Sequence, residues 1–371
     1  MSTAVATSPE AVPTSAPARS SMFISTPGKD FFFYFLSVSV VFIAWFAAAV
    51  VKVPGFYILA AVAVTCNGPH LISTWTRTYF DKREWRARPF PLIGGPILIF
   101  AGVFSATYFL GYTGSRLLNS AILYWATWHF VAQNWGILRI YQRKSGESAQ
   151  SLAMKLERPM LLLWVLWCLL HRILTGPRVL FGTEVFYFDL PRPIVDGLLG
   201  PIAFLFIVYL RQRIKERNEP WAKAAWLRAA FLGCAVLGFF IPFQFIKTDD
   251  TSAFAAAAAW HAIQYLGIVR FYHRNTWKNG VDPNAKIVSW LGQPGWSRAG
   301  LYFAMLLAMA GLVYVVIYSI AFIEPVKGWN VFTWTGVVWI SLTLSHYWLD
   351  GVIWKLRKPE LAQRVGIDVQ A

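Results

Sequence analysis

The chain has 371 residues, of which 57% are hydrophobic, 17% aromatic and only 14% charged, and its mean hydropathy is +0.47. That excess of apolar side chains excludes an ordinary water-soluble globular protein and describes a polytopic membrane protein. A net charge of +16 would suit a nucleic-acid binder, but the basic residues gather in alternate loops between apolar runs, which is a pattern of membrane topology, so no nucleic-acid partner is expected.

Residues 1–28 are rich in Ser, Thr, Ala and Pro, with no apolar stretch, and are expected to form a disordered tail rather than a signal peptide. From Phe31 onward about ten apolar runs follow, at approximately 31–51, 56–75, 90–112, 117–138, 159–176, 194–210, 224–246, 253–271, 299–323 and 331–352. The expected fold class is therefore all-α, a polytopic transmembrane helix bundle over residues 29–357, followed by a cytoplasmic C-terminal tail, 358–371. With the N terminus in the cytoplasm, 27 of the 34 Lys and Arg fall on that side and six on the other, with Arg172 near a helix end. Both termini are accordingly expected in the cytoplasm, and the protein in a multi-pass setting such as a bacterial inner membrane, with membrane lipid as its surroundings.

Four of the six histidines lie inside these runs: His70 in the second, His129 in the fourth, His261 in the eighth and His346 in the tenth. All four runs point from outside to inside. Each histidine precedes the basic end of its run by seven to ten residues, counting to Arg77, Arg139, Arg270 and Lys355. At about 1.5 Å rise per residue the imidazoles share one level, roughly 10 to 15 Å from the inner face. One such histidine alone could simply hydrogen-bond a neighbouring helix; four at one depth predict a metal site. An internal echo supports this, because WHFVAQNWGILRIYQR at 128–143 and WHAIQYLGIVRFYHR at 260–274 share the order Trp-His, Gln, Gly-Ile, Arg, Tyr, Arg, and duplicated inward helices tend to face one another.

Oxygen-bearing side chains one turn on supply partners for the rings: Thr74 after His70, Gln133 after His129, Gln264 and Tyr265 after His261, and Asp350 after His346. Asp350 is the carboxylate nearest a candidate ligand, and reads as either an acceptor behind a ring or a direct ligand. His171, beside Arg172, is expected to be structural or interfacial, and His273 a solvated loop residue. Cys66, Cys168 and Cys234 have no metal-ligand spacing and read as packing residues. The run RTYFDKREWRAR after His70 reads as a basic loop against lipid headgroups, with Arg77 or Arg83 as the residue that would grip an anionic head or a partner protein.

Neutral imidazoles with few carboxylates suit Fe, Cu or Zn better than Mg or Ca, and a dry site beside lipid suits an apolar substrate with O2. The 19 Trp and 29 Phe could line a tunnel for a polyene, or form interfacial belts and packing. The chain lacks the adjacent histidines of membrane desaturases, and has no Walker loop, GxSxG elbow or His-Glu-x-x-His motif. Two further classes stay open: a haem-binding electron carrier using the histidines as two axial pairs, and a non-enzymatic transporter or scaffold.

GPH at 68–70, HF at 129–130, the histidine helix with a basic end at 261–274 and the His-to-acid helix at 346–350 occur in the order that resembles the Brp/Blh-like membrane β-carotene 15,15'-dioxygenases. The resemblance is confined to these short motifs between about residues 56 and 355. It implies an all-helical membrane enzyme in which histidines hold a non-haem Fe(II), and O2 cleaves a carotenoid or similar isoprenoid. The chain departs from the family in having Thr74 or Trp75, and Gln133 or Asn134, where the family carries acids, and Tyr265 where it carries a second histidine. A four-ligand set of His70, His129, His261 and His346 therefore recruits a residue outside the family pattern.

Overall fold

A computed structural model describes residues 21–247, 250–323, 333–356 and 358–367. Nine long helices make up most of these residues: α1 Pro27–Val50, α2 Gly55–Arg77, α3 Phe90–Lys144, α4 Leu152–Thr175, α5 Arg192–Lys215, α6 Ala222–Phe245, α7 Asp250–Thr276, α8 Trp296–Ile323 and α9 Trp334–Ile353. Seven helical stretches, within α1, α2, α3, α5, α6, α7 and α8, are long and apolar enough to cross a membrane. The protein is thus nearly all-α, with the build of an integral membrane protein. The expected disordered tail lies mostly outside the described residues, but its last part is seated: Ile24 is buried, and the Ile24 and Ser25 amides donate to the Asp30 carboxylate at 2.7 and 2.9 Å. The sequence signals no strand, yet a two-residue hairpin, β1 Val179–Leu180 and β2 Thr183–Glu184, follows α4. Phe181 and Gly182 turn it with φ of 51° and 78°, the positive angles that a tight hairpin turn requires.

α7 is the axis of the bundle. Of its membrane-length window, 94% is buried, because Ala253, Ala255, Ala256, Ala257, Ala258, Ala259 and Ala262 let the neighbouring helices come close from all sides. α1 and α2 pack along it, α8 packs against α2, and α9 lies along α3. Proline irregularities shape the rest. In α2 a wide π turn at Ala63–Asn67 precedes Pro69, absorbing the clash a proline ring makes with the carbonyl four residues back. The next residue after that turn, Gly68, must be glycine for packing reasons, since a Cβ there would stand 2.7 Å from Ala310 and 2.9 Å from both the Ala63 carbonyl and Tyr314. α3 is broken at Gly111, whose φ of 52° and ψ of −122° divide it into two segments.

A buried charge cluster locks α3, α4, α5 and α6 together at one end. Arg213 on α5 donates twice to Glu147, at 2.9 and 2.8 Å, and Arg228 on α6 bridges Glu147 and Glu157, the latter at 3.1 Å. Gln142 and Tyr209 complete the hydrogen bonding of Glu157 at 2.7 and 3.2 Å. Removing one partner from such a set leaves an uncompensated buried charge, so Arg228→Ala should cost about 3 to 5 kcal/mol. Burial alone would raise the Glu147 carboxyl above its usual 4.5, but hydrogen bonds from Arg213, Arg228 and Ser151 outweigh it and hold the group at about 2. A carboxylate with a lowered folded pKa stabilises above its unfolded value and loses that contribution as pH falls through the folded one. Thermal melting of purified protein should therefore show a full gap between wild type and Glu147→Gln above about pH 4.5, narrowing as the pH approaches about 2; a gap independent of pH would contradict the pairing.

Candidate metal centre

Four helices each deliver one imidazole to the middle of the bundle: His70 from α2, His129 from α3, His261 from α7 and His346 from α9. All four are buried, at 4%, 7%, 1% and 4% exposure. One nitrogen of each lies within 4.8 Å of the corresponding nitrogen on every other. Ring centroids are 4.3 Å apart for His70 and His346, 4.9 Å for His70 and His261, and 4.7 Å for His129 and His261. Four nitrogens bound tetrahedrally to one ion at about 2.0 to 2.1 Å would stand about 3.3 to 3.4 Å apart, so the widest pair would have to close by up to about 1.5 Å around it.

The hydrogen-bond inventory of these rings is what marks the site. Both nitrogens of His70, both of His261, Nε2 of His129 and Nε2 of His346 have no protein partner although they are buried. An unsatisfied buried polar atom is costly, about 1 to 3 kcal/mol each, and one such nitrogen from each ring makes a set of four donors of the kind that a soft or borderline metal ion takes.

Behind the rings lies a connected polar group. The Thr74 hydroxyl on α2 is 2.9 Å from His346 Nδ1 and 3.1 Å from Asp350 Oδ1, and the Tyr265 hydroxyl donates to the same Oδ1 at 2.6 Å. Trp354 Nε1 donates to Tyr265 at 3.0 Å. Thr74 has one proton; giving it to Asp350 makes it the acceptor for His346 Nδ1–H, which leaves the Nε2 lone pair free to face the cluster. The other Asp350 oxygen, Oδ2, lies 3.6 Å from His129 Nε2 and 3.8 Å from His346 Nε2, too far for a hydrogen bond but close enough to balance charge.

Helix-face reasoning located these side chains but not all their partners. Thr74 was expected to support His70, one turn away, and supports His346 on another helix. Gln133 reaches the His261 carbonyl at 2.9 Å and Gln264 at 3.3 Å, and Gln264 reaches Asn134 at 3.3 Å, so the two glutamines clamp α3 to α7 rather than orient a ring. His273 is a correction: instead of a solvated loop residue it is fully buried in the last turns of α7, bonded through Nε2 to Thr76 at 2.8 Å and stacked on Trp277 at 4.9 Å. His171 stays structural, with Nδ1 2.6 Å from Gln244 and its ring against Trp167. Cys66 lies 3.5 Å from the hydroxyl of its neighbour Thr65.

Two clefts reach the cluster. One, of about 60 Å³, lies toward the N-terminal ends of α7 and α9 and is lined by His70, His261, His346, Phe130, Trp339 and Tyr314. The other, of about 190 Å³, lies toward their C-terminal ends between α3 and α9, beside His129, Asp350, Trp125 and Trp128. Tyr347 lines both. Compared with known proteins, the chain matches no family model, no curated protein and no solved structure.

Metal analysis of protein purified from membranes should find one ion per chain, lost on His70→Ala or His261→Ala. Asp350→Asn should lower metal affinity roughly 10 to 100-fold with the fold intact; equal metal content in that variant would reduce Asp350 to a structural residue.

Proposed function

We propose that the protein is a membrane-embedded non-haem iron oxygenase that uses O2 to cleave a double bond of a carotenoid or similar apolar isoprenoid. The observation that carries this reading is the buried set of four imidazoles, each with at least one nitrogen that lacks a protein partner. The apolar clefts and the short-motif resemblance to the membrane β-carotene dioxygenases support the substrate half. The same reading takes the chain through a bacterial inner membrane ten times with both termini in the cytoplasm: α3 contributes one span on each side of Gly111, and α4 and α9 join the seven apolar stretches.

Bound Fe(II) would supply the one-electron chemistry through which O2 reacts with a closed-shell polyene; Cu or Zn fits the imidazole set less well for that purpose. In the net reaction one carbon–carbon double bond breaks and each of its carbons gains one atom of O2, giving two carbonyl products with no external reductant. No proton has to be removed from the substrate, so the histidines serve as neutral ligands rather than as bases. Thr74 holds the His346 tautomer, Asp350 offsets positive charge, and Phe130, Trp339 and Tyr347 keep water away. The smaller cleft has room for water-sized molecules, and so for O2 beside the rings. A C40 polyene exceeds both clefts, so the wall between α3 and α9 has to widen toward lipid to admit it.

Expression in a β-carotene-producing bacterium tests the reaction by colour. Bleaching with retinal formation is the expected result, and His70→Ala, His129→Ala or His261→Ala should abolish it. Unchanged pigment with a fully loaded iron site would remove carotenoid as substrate; a metal-free active protein would end the oxygenase reading, and a Soret band would replace it with the haem carrier. The larger cleft has its own test. Gly136 and Gly351 line it with no atom within 4 Å of where a Cβ would stand, so Gly136→Phe adds bulk to the cleft with no clash at its Cβ. That variant should keep its metal and lose at least tenfold in turnover of a long substrate.

A further inference from the structure

Arg77 closes α2, seven residues beyond His70, and only 4% of it is exposed. Its guanidinium lies 3.6 Å from the centre of the Tyr272 ring and 5.2 Å from that of Trp354. These aromatic faces accept the charge but not the N–H groups. Nε has no hydrogen-bond partner, and no carboxylate among the described residues pairs with the group. A buried arginine with no carboxylate in ion-pair contact is expensive, Asp350 acting on it only at longer range, and this one lines a polar cavity of about 420 Å³ at the basic end of the bundle.

The rest of the lining is biased in the same direction. Arg83 is held by Asp81 at 2.9 Å and Asp282 at 2.7 Å, and Arg88 by Glu84, so those carboxylates are already engaged. What remains facing the cavity is Arg77, Lys358 and Arg364 against Glu360. Arg364 donates to the Tyr272 hydroxyl at 2.6 Å, which places two guanidinium groups on the same aromatic ring, one over its face and one at its oxygen. Tetrahedral oxyanions are the ligands that forked guanidinium donors and an ammonium group recognise together.

We propose that this cavity is a binding site for a phosphate group, presented by a phospholipid headgroup at the membrane surface or free in solution, with Arg77 as its floor and Arg364 and Lys358 as its rim. The site is separate from the histidine cluster, and its existence does not depend on the metal or the reaction.

The test uses the full chain in detergent, melted at constant ionic strength with inorganic phosphate, with a short-chain phosphatidic acid, or with potassium chloride alone. Phosphate or phosphatidic acid should raise the melting temperature of the wild type beyond chloride. The concentration needed should rise at least tenfold in Arg364→Gln/Lys358→Gln, whose side chains are at the rim, and also in Arg77→Gln. Arg211→Gln, an exposed arginine elsewhere on α5, should behave as wild type. A response to both probes assigns the site to the phosphate group itself, and a response to phosphatidic acid alone assigns it to lipid. No response beyond chloride in the wild type, or an undiminished response in the rim double variant, overturns the proposal, and neither result depends on whether Arg77→Gln folds.

Discussion

Imidazole nitrogens buried in the interior without protein partners set the terms for the whole bundle. Each unpartnered nitrogen in the interior carries a desolvation cost that the apolar packing around it cannot repay. The protein nevertheless commits four helices to bringing such nitrogens together, and uses an alanine-rich α7 so that those helices can approach. A bundle built for packing alone would have no reason to accept that cost in one place. The polar group behind the rings, from Thr74 through Asp350 and Tyr265 to Trp354, ties α2, α7 and α9 into one constraint. The ring of His346 is held on the side away from the cluster and left open on the side toward it.

Much of this was legible in the sequence because depth in a membrane is written as distance from a charged end. Counting residues from each histidine to its basic terminus levels the four rings without any knowledge of which helices touch. Lateral neighbours have no such ruler. Thr74 shares a face with His70, but a face two or three helices wide does not say which ring its hydroxyl will meet. Gln133 and Gln264 occupy matching places in the internal echo, and that similarity is why they find each other instead of the imidazoles. The burial of His273 depends on Thr76 and Trp277, and on Tyr302 of α8, whose ring lies 5.6 Å away. No local pattern around His273 reports a contact with a helix that begins more than twenty residues later.

The basic residues show the same division. Counted together they predict an orientation for the chain, yet they do not all face solvent or lipid headgroups. Arg213 and Arg228 are buried with carboxylates from two other segments, and Arg77 is buried on aromatic rings. A positive-inside tally reads the loop in which a charge falls and is blind to whether its side chain turns back into the fold. In this protein a share of the inner charge holds helices together rather than the helices to the membrane.

The wide turn before Pro69 carries a consequence for how such a chain tolerates insertions and deletions. It accommodates one residue more than a regular turn, so everything after it is rotated by about 100° relative to an uninterrupted helix. Upstream of it α2 exposes Phe56 and Tyr57, while downstream His70, Ser73, Thr74 and Arg77 are turned inward. Deleting a single residue between Ala63 and Asn67 would remove the extra residue and give a regular helix with the imidazole still in phase, whereas a deletion between Gly55 and Val62 would turn the preceding residues by about 100° relative to it. The wide turn is therefore the place in α2 where a one-residue change in length leaves the phase of the site intact.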